Sequence, residues 1–155
     1  MKYTQINIYL SSTKYPWWNL NGRFWKTRFS KFLDEYCSNF EYKIKYVDPF
    51  KFEESDNPKV VDFDKRAINS CDYFVCYLDK LSIGTIMELM HHYCINNYKG
   101  IERSYPSTCV LIDADGDHKY HPWIKYHCKN IFDCVEDAAV FIHNEVIKPK
   151  TEFVL

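Results

Sequence analysis

Tyr73-Phe74-Val75-Cys76-Tyr77-Leu78, then Asp79-Lys80-Leu81, then Ser82-Ile83-Gly84-Thr85-Ile86-Met87-Glu88-Leu89-Met90-His91-His92-Tyr93-Cys94: this stretch decides the fold. An apolar run of that length, closed by polar residues, reads as a buried strand. The Ser-x-Gly-Thr turn that follows opens a helix predicted to run to about Asn96. Such a turn leaves backbone N–H groups and hydroxyls free at a helix start, which suits an anion. Glu88 falls in the first turn or so of that helix. The helix dipole there is expected to keep a carboxylate ionised. A Glu near a helix start is most often a residue on a solvated face that complements the dipole. Its placement here raises the odds of more, because open α/β sheets bind ligands outside the carboxyl ends of their strands.

Working outward, the same alternation of strand and helix recurs. Residues 6–10 read as a first buried strand, and 11–21 as a polar, aromatic loop holding Pro16, Trp17 and Trp18. An amphipathic helix over about 22–37 carries Trp25, Phe29, Phe32, Leu33 and Tyr36 on one face. Residues 43–47 form a second strand, 48–59 a charged loop, and 60–70 a helix with Val61, Ala67 and Ile68 inward. A fourth strand is predicted over 108–112, an irregular segment over 113–129, a short strand over 130–132 and a last helix over 135–146. Strands alternating with helices imply a parallel sheet with right-handed crossovers. The expected fold is a single-domain, three-layer α/β/α sandwich with a five-stranded, mainly parallel sheet, Rossmann- or flavodoxin-like.

A chain of 155 residues suits one such domain. Its formal net charge of −1 argues against a nucleic-acid polymer or a membrane surface as partner. Thirteen Tyr and eleven Phe exceed what a core of this size needs, so some are expected to line a pocket or an interface. The seven cysteines show no recurring spacing and read as reduced, buried thiols. The first residues alternate polar and apolar in place of a signal's apolar core. Together these lead to the expectation of a cytoplasmic chain.

Several other groups invite chemistry. Tyr9 ends the first strand and so faces the same sheet edge as Glu88. Ser11-Ser12-Thr13-Lys14 is a small-hydroxyl loop with one cation, a weak phosphate signal without Gly. Asp64 lies eight residues before Asp72. Taken alone, Asp64 reads as a surface carboxylate beside Lys65 and Arg66, and Asp72 as a turn or cap residue. Asp113-Ala114-Asp115-Gly116-Asp117 begins like a calcium loop, but His118 and Ile124 stand where an EF-hand needs Gly and Glu. His91 and His92 project about 100° apart on a helix, and His121 and Cys128 are poorly spaced as ligands. No metal site and no cofactor are expected.

Ile8-Tyr9-Leu10 with its loop, Asp64 eight before Asp72, and Ser82-x-Gly84-x-x-x-Glu88 together resemble the nucleoside 2-deoxyribosyltransferase superfamily, which includes the 2'-deoxynucleoside 5'-monophosphate N-glycosidases. The likeness runs from the first strand through the helix that carries Glu88, and more loosely to the last helix. It implies that Glu88 is the nucleophile on the anomeric carbon. It implies that Asp64 helps hold sugar and base and assists the proton transfer, and that Tyr9 hydrogen-bonds the nucleophile. Trp17 and Trp18 fall in the loop that covers the base. Ser82, with Gly84 after it, stands where transferases carry an Asp for the free 5'-hydroxyl and monophosphate hydrolases a Ser for the 5'-phosphate. Ser12 and Lys14 fall near the hydrolases' phosphate contacts, with Lys in place of Arg. His121-Pro122-Trp123-Ile124 aligns loosely with a segment supplied by a neighbouring subunit, which implies a homodimer or larger homo-oligomer and substrate contact by His121. The resemblance thus points to a deoxyribonucleotide N-glycosidase, with base exchange between deoxynucleosides as the alternative and a non-catalytic nucleotide-binding module as a more distant one.

Overall fold

The computed structural model describes residues 4–13, 20–38, 42–48, 58–80, 82–98 and 107–147. Five strands, β1 (Thr4–Ser11), β2 (Tyr42–Val47), β3 (Tyr73–Leu78), β4 (Thr108–Asp113) and β5 (Asn130–Phe132), form one sheet in the order β2-β1-β3-β4-β5. Every pairing is parallel. The connecting helices are α1 (Leu20–Cys37), α2 (Lys59–Ser70), α3 (Ile83–Asn97), α4 (Pro122–His127) and α5 (Val135–Ile147). The fold is therefore the three-layer α/β sandwich the sequence predicts, with no antiparallel strand among the described residues.

Side chains alternate along a strand, so each strand feeds two cores. Ile6, Ile8 and Leu10 of β1 and Val75 and Tyr77 of β3 pack under α1 and α5 with Trp25, Phe29, Leu33, Ala139 and Ile142. Tyr9 of β1 and Phe74, Cys76 and Leu78 of β3 face the other way, with Ile68 of α2, Leu89 and Ile95 of α3 and Ile124 of α4. Near-continuous apolar strands are what a sheet covered on both faces requires. The strand order reverses between β1 and β3. The chain leaves β1 through α1 toward β2 and leaves β3 through α3 toward β4, which opens a crevice at the carboxyl ends of β1 and β3.

The structure corrects the sequence reading in four places. β1 continues through Ser11, and α1 begins at Leu20. The segment read as irregular contains a 3-10 turn, His118–Tyr120, and then α4. Pro122 starts α4, the one helical position where its missing N–H costs nothing. Six residues are too few to show helical periodicity. Val61 and Tyr36, expected inward, are exposed; the Tyr36 ring lies against His143 at the protein surface. All seven cysteines are free thiols, but only Cys37, Cys71, Cys76 and Cys128 are buried. No described helix is long and apolar enough to cross a membrane.

Candidate functional site

Period-two geometry puts Tyr9 and Ser11 on the same face of β1, pointing toward α3. Both reach Glu88. The Tyr9 hydroxyl donates to Glu88 Oε1 at 3.2 Å, and the Ser11 hydroxyl donates to Oε2. Each carboxylate oxygen thus has its own donor. The Tyr9 ring is fully buried and stacks on Phe74 at 5.8 Å, which in turn stacks on the ring of His92 at 5.0 Å. This column of three rings fixes where the phenol points. His92 is held from behind by Ser107 at 3.0 Å and by Asn96. It belongs to the core, while its neighbour His91 bonds Asn69 at 3.0 Å, so the two histidines serve separate partners.

Glu88 lies in the second turn of α3, past the four N–H groups that make a helix start positive. The expectation that the dipole keeps it ionised fails for that reason. Burial pushes Glu88 up to about 7 from its ordinary 4.5. The Ser11 hydrogen bond opposes this, the negative charge of Asp64 adds to it, and Tyr9 and Lys26 pull back down. Near neutral pH this carboxyl holds its proton far more than an ordinary glutamate does. Burial, followed by the charges of Glu88 and Asp64, pushes the Tyr9 phenol far above the usual tyrosine range, so it stays a donor.

Asp64 corrects a second expectation. It is not a surface residue paired with Lys65 or Arg66, since Arg66 bonds the Asp62 carbonyl. α2 turns Asp64 toward Tyr9, and one buried oxygen, Oδ1, has no hydrogen-bond partner among the described residues. Burial raises its pKa, with the Tyr9 hydroxyl and then Lys26 working against the rise. A buried carboxylate oxygen without a donor asks for a ligand hydroxyl, a water or a proton. Asp72 stays what it was read as: its carboxylate accepts from the Asn7 backbone N–H at 2.7 Å, tying the start of β3 to β1.

Ser82 is the N-cap of α3, and its carbonyl accepts from the Ile86 N–H at 3.0 Å. Its side chain makes no capping bond, so the hydroxyl is not spent on the helix. An added Cβ at Gly84 would meet nothing within 4 Å. Nothing in the described protein requires a glycine there, although glycine inside a helix costs about 1 kcal/mol against alanine. Ser82 and His121 line one groove of about 460 Å³ with Ile83, Met87, Met90 and Trp123. Ser12 follows β1 and is buried. Lys14, Trp17 and Trp18 lie outside the described residues.

The site also holds side chains the sequence did not flag. Ser11 falls one residue beyond the strand predicted from sequence, and extending the alternation by that residue places it beside Tyr9. Lys26 of α1 pairs with Asp48, just past β2, at 2.6 Å. No local signal marks Lys26 or Asp48, because they meet only when α1 packs beside the end of β2. Among the described residues, no group of three or more His, Cys, Asp or Glu side chains is arranged to hold a metal ion. The arrangement as a whole is a carboxylate poised between its two charge states, with fixed donors on both oxygens and a second carboxylate beside it. No protein-family model matches the chain, and no curated protein matches it significantly.

Proposed function

We propose that the chain cleaves the N-glycosidic bond of a 2'-deoxyribonucleoside 5'-monophosphate through a covalent deoxyribosyl intermediate on Glu88. The observation that carries this reading is the Tyr9–Glu88–Ser11 arrangement, with Asp64 alongside, at the sheet's reversal point. Ionised Glu88 attacks C1' of the sugar. The C1'–N bond breaks, its electron pair leaves with the base, and a proton reaches the base from the Asp64 side. Water then attacks C1', its proton passes back to a carboxylate, and Glu88 is released. A carboxylate suits both halves, since it stabilises the oxocarbenium-like cation and bonds to it. A deoxyribose, without an electron-withdrawing 2'-hydroxyl, reaches that cation more easily.

The phosphate is assigned to the start of α3, with Ser82 donating and Gly84 allowing close approach, supported by Ser12 and Lys14. Trp17 and Trp18 are assigned to the base. An uncharged hydroxyl at Ser82 favours phosphate over the free 5'-hydroxyl of a transferase substrate. The exposed apolar side chains Ile83, Met87 and Trp123 around the groove suit contact with a second copy of the chain, which would bring His121 to a neighbouring site. The free thiols suit the cytoplasm.

The test is release of free base, followed by chromatography, from the four deoxynucleosides and their monophosphates. Base release from a monophosphate, abolished in Glu88→Ala with ligand binding kept, supports the reading. Sugar transfer from a free nucleoside to an added base would establish the transferase instead. Binding of monophosphates without turnover would leave only a nucleotide-binding module.

A further inference from the structure

Cys109 and Cys128 stand nineteen residues apart in sequence, and the fold brings them to one corner. Cys109 lies in β4, and Cys128 is the C-cap of α4. Cys128 is buried in the core it shares with Leu111 and Ile124, and Cys109 packs against that same core. The Cys128 sulfur lies 3.7 Å from the Cys109 carbonyl oxygen and 3.4 Å from that of Asn130. The Asn130 side-chain amide donates to the same Cys109 carbonyl at 2.9 Å, which fixes the corner from a second side. The register gives the span. Val110 of β4 is opposite Asn130 of β5, so Cys128 is about one residue out of step with Cys109 on the neighbouring line of chain. Strand spacing and one residue of rise then put the two Cα atoms roughly 6 Å apart. A disulfide spans that separation with little strain. Other buried thiols face different neighbours: Cys37 lies 3.7 Å from His143, and Cys71 lies 3.5 Å from Ser107.

We propose that Cys109 and Cys128 form a redox-reactive dithiol, which a hydroperoxide closes into a disulfide tying the end of α4 to the start of β4. Cys109 is half-buried and lines a pocket of about 420 Å³ with Ser107 and Lys129. A small oxidant therefore reaches Cys109 first, while Cys128 stays covered. The Cys109 thiol, donating toward Cys128, lowers the pKa of Cys128 against the burial that raises it. One proton thus serves both sulfurs. When it moves onto Cys128, the Cys109 thiolate attacks a peroxide oxygen and the O–O bond breaks. The departing hydroxide takes the proton from Cys128 and leaves as water, with a sulfenic acid on Cys109. The Cys128 thiolate then attacks the Cys109 sulfur, the S–O bond breaks, and the second hydroxide takes a proton from solvent. Two electrons pass from the sulfurs to the peroxide, which ends as two waters.

This redox chemistry stands apart from the reaction proposed above, and base release plays no part in its test. The reduced full-length chain is treated with hydrogen peroxide, its remaining thiols are blocked with N-ethylmaleimide, and it is digested without reduction for mass spectrometry. The peptides holding Cys109 and Cys128 should appear joined, two hydrogens lighter than their sum, and should separate on reduction. This bridge should form roughly tenfold faster than any other cysteine is lost. In Cys128→Ala, Cys109 should instead stop at a sulfenic acid, trapped by dimedone. In Cys134→Ser, a control elsewhere on the protein, the bridge should form as in the wild type. Should Cys128→Ala not fold, Cys109→Ser, at the more exposed position, carries the same test: the covered Cys128 should then be oxidised no faster than the other cysteines. Earlier oxidation of another cysteine overturns the proposal. So does a bridge between two chains on a non-reducing gel, or a wild-type Cys109 that passes to sulfinic acid without bridging.

Discussion

Replacing Glu88 by Gln should stabilise the protein, and the amount is fixed by where the carboxyl sits. An ordinary glutamate near 4.5 titrates in the unfolded chain, while burial holds Glu88 at about 7 in the folded one. Between those values the folded state keeps a proton that the unfolded state has lost. Stability therefore falls as pH rises through this window and levels off above about 7. Each pH unit is worth about 1.4 kcal/mol, so the whole span costs about 3 kcal/mol at pH 8. A carboxamide carries no charge at any of these pH values. Glu88→Gln should exceed the wild type by less than about 1 kcal/mol at pH 5 and by about 2–3 kcal/mol at pH 8, the lower figure allowing for a hydrogen bond less well made by the amide. For a chain of this length that corresponds to roughly 5–10 °C in Tm.

Urea unfolding of both proteins at pH 5, 6, 7 and 8, at constant ionic strength, measures it. The quantity to follow is the difference between the two proteins, in which the contributions of all groups they share cancel. A difference that stays constant from pH 5 to 8 would refute the burial argument. So would a Gln variant less stable than wild type at pH 8. Neither outcome depends on what reaction the protein performs.

Tyr9→Phe keeps the ring column but removes a donor from a charged carboxylate, worth about 1.5–3 kcal/mol. Base release should fall roughly ten- to hundredfold and its acid limb should move up, with Tm little changed at pH 5 and lowered at pH 8, where Glu88 is charged; kinetics and thermal melts on one preparation show both. Ser82→Asp sets a negative charge against the 5'-phosphate and should cost about 2–4 kcal/mol of monophosphate recognition while sparing free deoxynucleosides, seen as a crossover in kcat/KM. Gly84→Ala should raise stability by about 0.5–1 kcal/mol, because the added Cβ meets no neighbour. The same change should weaken monophosphate binding if the phosphate approaches that backbone, and equal binding in both proteins would place the phosphate elsewhere.

The layered fold was legible because its signal is local. Ile8-Tyr9-Leu10 and Phe74-Val75-Cys76-Tyr77-Leu78 are apolar on both faces, and only a sheet covered on both sides explains that. The likeness to a family drew Tyr9, Asp64 and Glu88 together, and they do meet in space; residue pattern alone left Asp64 on the surface. What stayed hidden needed three dimensions. Lys26 and Asp48 are ordinary charged residues in sequence and become a part-buried pair only when α1 packs beside the end of β2. The charge state expected for Glu88 went wrong for a related reason. The sequence places Glu88 only to within a turn of the helix start, and one turn separates a residue governed by the dipole from one governed by burial.

The same contacts that make Glu88 chemically useful make it a burden on the fold. A carboxyl buried at about 7 is held there by desolvation and by Asp64, and both lower stability at neutral pH. The structure answers with rigidity rather than with solvent. Tyr9 is pinned in a stack with Phe74 and His92, Ser11 belongs to a central strand, and Glu88 rises from a helix whose buried stripe includes Thr85, Leu89, His92 and Ile95. A loop-borne site could relax by turning its carboxylate toward water. Here both carboxylate oxygens are held by donors from a central strand, so a turn toward water would give up two hydrogen bonds at once.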